Sequence, residues 1–517
     1  MKMVKSLLLG SAAGLIAVAG AQAADLPVKA KAVEYVKICS LYGVGYYYIP
    51  GTDTCIKIGG YVRLETYHNA AGGLYAEGTQ QGSFTRHGAT YAMQARFRMS
   101  ADVRTQTEYG TLRSYFAFGL NALNNGGGAL ETAGPGLAVA MERAFIQFAG
   151  FTLGRADTFF AFYNGAAYGL VPFGFDGSSG PSGLNVAAYT WQFGNGLSAT
   201  FSVEDAVAHS AGVIDLNNTG LMGANVFTGI AGNGGGDFAG QKVPDLVGNL
   251  RIDQAWGSAQ IMGALHQVGA RYNNTTTTLP LCNGGGADTT LCGHPGDKWG
   301  WAVGAGMTLK MPWDPKDTLS GQIAFAEGAN KYVAFTYNNR NLHRGDGISI
   351  GAFNDAVFAS GVANTANASN SLELTKSWGG VLAFEHYWTP SLRTSWVAGY
   401  MEVEYSDAAK QLLVNRGSLN CAGPGIALTN VNGGASPNSR CADADWSMWR
   451  LASRTMWNPV QNLDVGLEVA YTHVNTAYGG FANVTNTGGS GLSTGVYALD
   501  DNSYWTATFR VQRNFWP

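Results

Sequence analysis

Apolar and polar residues alternate along many stretches of this chain. Between residues 95 and 104, Ala95, Phe97 and Met99 alternate with Arg96 and Arg98. The same period of two recurs at 55–67, 112–120, 142–148, 463–473 and 504–515. Because successive side chains of a strand point to opposite faces, this pattern predicts β-strands with one apolar and one polar face.

Along the whole chain, the alternation predicts sixteen strands. They are expected at 55–67, 89–104, 111–120, 138–149, 150–157, 186–193, 197–205, 246–253, 257–267, 298–311, 317–327, 377–388, 391–405, 444–457, 462–474 and 502–515. Strands as long as 89–104 exceed the roughly five or six residues of a globular strand. They suit a tilted membrane strand of about 9–11 residues, and an even strand number is typical of bacterial outer-membrane barrels.

The predicted connections alternate between short turns and long loops, as they do in outer-membrane barrels. The short turns are expected at Tyr109–Gly110, Gly194–Gly196, Gln254–Gly257, Trp313–Asp317, Thr389–Pro390 and Asn458–Pro459. The long segments, rich in Gly, Asn, Ser and Thr, are 68–88, 121–137, 158–185, 206–245, 268–297, 328–376, 406–443 and 475–500. The segment 328–376 is long enough to contain an additional hairpin.

Two architectures fit strands with one apolar face. In a soluble sandwich the apolar faces pack together, whereas in a membrane barrel they face lipid and the polar faces line a lumen. Aromatic residues gather near strand ends, among them Trp299, Trp301, Trp388 and Trp457, as in the girdles of membrane barrels. After residue 24 we find no run of about 20 apolar residues that could span a bilayer as a helix. We therefore predict an all-β fold, a 16-stranded antiparallel transmembrane β-barrel.

The composition and the N-terminus agree with an exported membrane protein. Only 13% of the residues are charged, against roughly 25% in soluble domains. Lys2 and Lys5, the apolar run 7–20 and the small residues Ala21 and Ala23 predict a cleaved signal over 1–23, with a membrane-anchoring helix as the less favoured alternative. The rest divides into an N-terminal periplasmic segment at 24–54 and the barrel at 55–517. Without the signal, 30 basic and 35 acidic residues remain, a balance too mild to indicate nucleic-acid partners.

The six cysteines fit an oxidising compartment. They form three pairs of near neighbours: Cys39 with Cys55, Cys282 with Cys292, and Cys421 with Cys441. Local pairing is the simplest expectation, although six cysteines allow 15 connectivities. No C-x-x-C motif occurs, so we predict no metal site.

Catalytic and cofactor motifs are weak in this sequence. Gly491–Gly495 matches G-x-S-x-G, but it lies in a loop composition and not between a strand and a helix. His266, His386 and His473 lack metal-ligand spacing, and no phosphate-binding or dinucleotide fingerprint follows a strand. We therefore predict no catalytic residue and no cofactor.

Three segments resemble one known family. Residues 39–65, 142–160 and 501–515 resemble, respectively, the start, the strand pair before the third loop and the closing strand of the alphaproteobacterial porins, the rhizobial and Brucella-type general porins. The resemblance implies homotrimers in the outer membrane, in contact with its lipid and lipopolysaccharide, and passive diffusion of small hydrophilic solutes and ions. It also implies that 158–185 folds inward as a constriction loop. The ending Asn514–Pro517 departs from the terminal Phe of many such barrels, which puts the detail of assembly in doubt.

Charged residues near the expected constriction suggest how it selects solutes. The basic ones, all from the first four predicted strands, are Lys57, Arg63, Arg96, Arg98, Arg113 and Arg143. Asp157 and Asp176 lie at the start of the expected constriction loop and within it. A basic wall facing an acidic loop would create a transverse field, and rings of charge set ion preference. The simpler alternative is a solvated barrel wall with ordinary loop acids.

Three functions remain open on the sequence alone. A general diffusion porin is favoured. A substrate-specific channel for sugars or anions is the alternative, and competition measurements would reveal its saturable site. A barrel enzyme is less favoured, because we find no Ser/His or paired-Asp constellation on neighbouring strands.

Overall fold

The computed structural model describes residues 38–69, 82–83, 90–124, 138–171, 174–178, 183–215, 238–272, 293–334, 340–344, 347–359, 369–416, 443–484 and 495–515. Within these residues, sixteen antiparallel strands form a closed barrel. They are β1 (Thr54–His68), β2 (Tyr91–Thr107), β3 (Gly110–Asn124), β4 (Ala138–Phe148), β5 (Phe151–Ala156), β6 (Leu184–Gly194), β7 (Leu197–Glu204), β8 (Asp245–Gln254), β9 (Gly257–Val268), β10 (Lys298–Lys310), β11 (Thr318–Glu327), β12 (Lys376–Thr389), β13 (Leu392–Glu404), β14 (Trp446–Trp457), β15 (Leu463–Asn475) and β16 (Asn502–Phe515). Each strand pairs with the next, and β16 pairs with β1, where Phe515 lies opposite Gly60. The predicted 16-stranded antiparallel barrel is confirmed.

The predicted strand bounds lie within four residues of the observed ones. The largest difference is at the end of β3, which was expected at residue 120 and lies at Asn124. Pairing explains the extension, because Asn124 still lies opposite Met93 of β2.

The two faces of the barrel differ as the alternation predicts. Large apolar side chains such as Val62, Ile261 and Leu467 are more than half exposed on the outside. Polar side chains of the opposite parity, such as Glu65 and Gln260, point inward and are nearly fully buried. The apolar face is therefore the outer one, as in a barrel that meets hydrocarbon.

Short turns join the strands at one end of the barrel. The turn between β6 and β7 is built on Asn195 and Gly196, which have φ angles of 50° and 76°. A Cβ atom on Gly196 would lie 1.9 Å from the carbonyl oxygen of Asp253, so glycine is required there. The short turns predicted at Gly194–Gly196 and Gln254–Gly257 are thus observed.

Longer connections at the other end carry their own secondary structure. Five strands from three connections form one small sheet: Gly82–Ser83, Arg340–Arg344, Gly347–Gly351, Gly480–Val484 and Gly495–Leu499. A second small sheet contains Val213–Asp215, Ala356–Ala359 and Ser369–Leu374. The hairpin expected within 328–376 is therefore present, outside the barrel wall.

In the described part of the chain, helices are few and short. The α-helices are α1 (Gly165–Tyr168), α2 (Ala206–His209) and α3 (Asp407–Arg416), and 3₁₀-helices cover Ser40–Tyr42 and Asn330–Tyr332. Among the described residues, no helix has the length and apolar character needed to cross a membrane.

The segment before β1 is tied to the barrel wall by a disulfide. Cys39 and Cys55 are bonded and almost completely buried, which confirms that predicted pair. The strand Tyr47–Tyr48 pairs with the start of β1. The guanidinium of Arg104, on β2, lies 5.2 Å from the ring centre of Tyr46. The four other cysteines, Cys282, Cys292, Cys421 and Cys441, lie outside the described residues.

Candidate pore constriction

The connection between β5 and β6 contacts inward-facing side chains of distant strands. Phe162 and Tyr163 donate their backbone N–H groups to Oε1 of Gln322, at 2.7 and 3.0 Å. The amide nitrogen of Gln322 donates to the backbone carbonyl of Asp176, on the returning arm. Gln322 points inward from β11, so one side chain binds both arms of this segment, here called the inner loop (157–171 and 174–178).

Aromatic side chains of the inner loop pack against one part of the barrel wall. A Cβ atom on Gly306 would lie 2.5 Å from the ring of Phe162, and one on Gly304 would lie 3.4 Å from Phe160. The two glycines of β10 therefore leave room for both rings, and Phe160 is fully buried. We call this part of the wall the filled half. Its inward residues include Val247, Met262, Ala302, Gly304, Gly306 and Ala324.

The tip of the inner loop is held by charged side chains of the opposite wall. Asn164 caps α1 by accepting the N–H of Ala166. Arg454, on β14, donates to the carbonyl of Ala167 at 2.7 Å. Arg510, on β16, donates to the carbonyl of Leu170, and Glu468 accepts the N–H of Leu170 at 2.6 Å. Hydrogen bonds to ionised groups are about twice as strong as neutral ones, so these contacts fix the position of the tip.

A cavity of about 360 Å³ lies between this tip and the wall. Its wall side, here called the open half, belongs to β1, β2, β4 and β13–β16. The charged residues that line it are Arg63, Glu65, Arg96, Glu142, Arg393, Arg454, Asp464 and Arg510. The inner loop contributes only uncharged residues, Ala166, Ala167, Gly169 and Leu170. Five arginines and three carboxylates thus lie on the wall, opposite a neutral loop tip.

Ion pairs organise the open half. Glu142 accepts from Arg96 and, at 2.6 Å, from Arg98. Arg510 pairs with Glu65, which also lies 3.6 Å from Arg63. Glu385 likewise pairs with Arg454 and lies 3.6 Å from Arg393. Because Glu65, Glu142 and Glu385 each serve two arginines, these arginines are held in fixed positions while positive charge remains in excess.

The predicted basic residues lie at different places in the barrel. Arg63 and Arg96 line the cavity, and Arg98 adjoins it through Glu142. Lys57 instead donates to the carbonyl of Val44 in the segment before β1. Arg113 pairs with Asp102 at 2.8 Å, near the same end of the barrel. Arg63, Arg96 and Arg98 therefore lie at the cavity, whereas Lys57 and Arg113 lie at the mouth on the side of the short turns.

Neither predicted acidic residue lies against the arginines of the cavity, although Asp157 meets one predicted basic residue. Arg143 forms an ion pair with Asp157. Asp176 is 3% exposed and accepts the N–H of Ser178, and among the described residues no ion pair of Asp176 occurs. Burial raises the pKa of Asp176 above its usual value. The acids that face the arginines of the cavity come from the wall itself.

Three arginines of the cavity are not in the set predicted from the sequence. They are Arg393, Arg454 and Arg510, which come from the last four strands. The six predicted basic residues come from the first four strands, so these three arginines add to that set. Arg510 was recognisable, since it lies on the polar face of the alternating stretch 504–515. Arg454 was harder to recognise, because Met448 and Met456 share its inward face.

Comparison with known proteins agrees with this architecture. The sequence profile described as "Porin subfamily" matches residues 25–507. Porin Omp2b of Brucella suis biovar 1 is 33% identical over 259 residues, which are 49% of this chain and 64% of that porin. Porin Omp2b of Brucella melitensis biotype 1 is 32% identical over the same lengths. The match thus spans less than two thirds of these relatives.

Among solved structures, the outer membrane channel DcaP of Acinetobacter baumannii has a similar fold. The TM-score is 0.54 at 13% identity, over 90% of this chain and 99% of that one. At this identity the likeness concerns the fold alone.

Proposed function

Because the chain belongs to the porin subfamily of the bacterial outer membrane, we propose that it forms a water-filled channel for passive diffusion of small hydrophilic solutes and ions. The observation that carries the proposal is the polar cavity between the tip of the inner loop and the open half. A barrel of sixteen strands is wide enough to leave an aqueous channel. The inner loop then forms the constriction of that channel.

We assign ion selectivity to the charged residues of the open half. Counted with the groups that pair with its lining, seven arginines lie around the cavity (Arg63, Arg96, Arg98, Arg393, Arg450, Arg454 and Arg510) with five carboxylates (Glu65, Glu142, Glu385, Asp464 and Glu468), so the channel prefers anions. Arg63 and Arg96 keep the role predicted for them, and Arg98 supports Arg96 through their shared carboxylate. We assign Lys57 and Arg113 to the mouth, Arg143 and Asp157 to the start of the inner loop, and Asp176 to its packing.

Single-channel recording in a planar bilayer tests this proposal. The folded protein should produce stepwise conductance that rises in proportion to salt concentration. Under a salt gradient its reversal potential should indicate anion preference. Folded protein that inserts without conductance contradicts the channel function, whereas cation preference contradicts only the assignment of selectivity.

A substrate-specific anion channel is the second candidate. The observation in its favour is the gathering of five arginines around a cavity of about 360 Å³, because arginine suits the planar geometry of carboxylates and phosphates. Flux of a small carboxylate should then saturate and be inhibited by a second carboxylate. A general porin shows neither effect.

The remaining features of the proposal concern export and assembly. Residues 1–23 act as a signal that is removed, and the mature chain assembles into homotrimers in contact with outer-membrane lipid and lipopolysaccharide. No catalytic activity is assigned. Mass determination of the mature protein, intact and in mild detergent, tests both the cleavage and the trimer.

A further inference from the structure

The outer face of the barrel contains a large apolar groove. Its volume is about 690 Å³, and it crosses the outward faces of β8–β12. The floor contains the small residues Ala259, Ala305 and Gly321, and longer side chains such as Ile261 and Ile323 form its sides. Both isoleucines are more than half exposed.

The strand register explains why a depression forms here. Ala305 lies between Ile261 and Ile323 in one row across the sheet. In the next row, Gly321 lies between Met307 and Leu382. Small residues are thus flanked by long ones in both rows, so the surface is recessed between ridges.

The groove lies in the half of the membrane nearest the short turns. Leu319 is the second residue of β11 after the turn, and Ile323 lies four residues further along. The groove therefore extends about 13 Å along the strand, which is about 10 Å along the membrane normal for a strand tilted by about 35–45°. This lies within the roughly 15 Å that one leaflet contributes to a hydrocarbon core of about 30 Å.

The rim next to the groove suits a phosphate headgroup. Lys316 is exposed in the turn that joins β10 to β11, whereas Lys310, at the end of β10, has the same inward parity as Gly306. Within the described residues Lys316 forms no ion pair. Of the two acids in this turn, Asp317 is buried and accepts from His386 and Trp313, and Asp314 accepts the backbone N–H of Lys316. Trp313 is 66% exposed, and exposed tryptophan is typical of the membrane interface.

We propose that this groove binds a phospholipid of the inner leaflet, with one acyl chain along the groove and the phosphate near Lys316. The groove supplies apolar contact over most of the depth of one leaflet, and Lys316 supplies a positive charge at its end. The proposal is independent of the channel function, because it concerns the outer face and its test measures bound lipid.

Native mass spectrometry of the full chain in mild detergent tests the proposal, with dipalmitoyl phosphatidylglycerol as the probe. Ala305→Phe fills the floor of the groove and should weaken binding about tenfold, as expected for the loss of about two buried methylene groups. Ala95→Phe is the matched control, because Ala95 is an exposed outward alanine of β2, on the other side of the barrel from the groove. Its binding should equal that of the wild type.

A second pair of variants tests the headgroup contact. Lys316→Gln should weaken phosphatidylglycerol binding about fivefold, since a basic residue near a membrane surface contributes about 1 kcal/mol. Lys310→Gln, on the inward side of β10, should leave it unchanged. Binding of dipalmitoylglycerol, which lacks the phosphate, should not change.

Two results would overturn the proposal. The first is wild-type binding of phosphatidylglycerol by Ala305→Phe. The second is a change of oligomeric mass in that variant, which would make the groove an interface between copies of the chain. If Ala305→Phe does not fold, as judged by heat-dependent migration on gels, Ala305→Leu and Lys316→Gln decide in the same way.

Discussion

The two halves of the barrel interior have the same strand geometry but differ in what occupies the space beside the wall. In the filled half, inward residues such as Ala302 and Gly306 are small or apolar, and the aromatic side chains of the inner loop occupy the space. In the open half, inward residues such as Arg63 and Arg510 are charged, and a cavity remains. Inward-facing positions of a large barrel are therefore not uniformly polar. Their side chains decide whether protein or water occupies each part of the lumen.

The strongest test of this contrast removes an aromatic anchor of the filled half. Phe160→Ala should lower the free energy of unfolding by about 3–5 kcal/mol, because a fully buried ring leaves a cavity. It should also widen the channel and increase current noise, since the inner loop loses a side chain that packs it against the wall. Urea titration and single-channel recording measure the two effects.

Phe116→Ala is the control for this prediction. Phe116 points outward from β3 and is 43% exposed, so its loss should cost much less and leave the conductance unchanged. Equal effects from both variants would show that the inner loop does not depend on the filled half.

Acid should destabilise the filled half, whereas the arginines of the open half should keep their charge. His209 is buried with its ring 4.0 Å from that of Tyr332, which in turn contacts Phe160. Burial lowers the pKa of His209 to about 4, from an ordinary value of about 6.5. The packed state keeps His209 neutral, so it loses up to about 3 kcal/mol as the pH falls from about 6.5 to about 4. The arginines of the open half stay charged throughout this range.

Thermal unfolding of the wild type and His209→Gln between pH 7 and 4 checks this prediction. The melting temperature of the wild type should fall relative to that of the variant as the pH decreases. Nearby Asp355 acts in the opposite direction, because burial raises its pKa to about 6. Asp355, Asp245 and Glu204, the carboxylates around His209 and Tyr332, and the neighbouring His266 and Lys331 are present in both proteins, so their effects cancel in the difference. Parallel curves would contradict the assignment to His209.

A smaller effect is expected from the side chain that joins the two arms of the inner loop. Gln322→Leu removes the acceptor for Phe162 and Tyr163 and the donor for the carbonyl of Asp176. The cost should be about 1–3 kcal/mol, as for buried groups left without partners, with more current noise. Gln322→Glu keeps the acceptor and loses the donor, so its noise should be intermediate. Noise in Gln322→Glu equal to that of Gln322→Leu would show that the two arms are not held separately.

The smallest effects concern ion selectivity in the open half. Arg63→Gln should move the reversal potential towards cations, and Asp464→Asn should move it towards anions, because both residues line the cavity. Asp176→Asn should leave it unchanged, since Asp176 is buried in the inner loop. A shift with Asp176→Asn and none with Arg63→Gln would instead support the acidic constriction loop that the sequence predicts.

The barrel could be predicted from the sequence because alternation is a local property. Each strand from β1 to β16 shows its two faces within about ten residues, as 95–104 does. The part of the wall against which the inner loop packs could also be predicted from the sequence. The inward positions of β10, from Gly300 to Gly306, hold only glycine and alanine, whereas the outward positions hold Trp299, Trp301 and Val303.

Height within the barrel could not be predicted in this way. A period of two tells which face a residue occupies, but it does not tell at what depth. Lys57 and Arg63 share the inward face of β1, yet Lys57 contacts Val44 near the mouth and Arg63 lines the cavity. The burial of Asp176 depends on the path of the inner loop across the lumen, which involves contacts with β11 about 146 residues away.

The position of the open half has a consequence for biogenesis. The cavity is lined by both ends of the barrel sequence, because Arg63 and Glu65 come from the first strand and Arg510 from the last. The contact between Arg510 and Glu65 forms only when β16 has paired with β1. The charged wall of the constriction is thus complete only when the sheet closes. An assembly intermediate that lacks β16 also lacks Arg510 and its contact with Glu65.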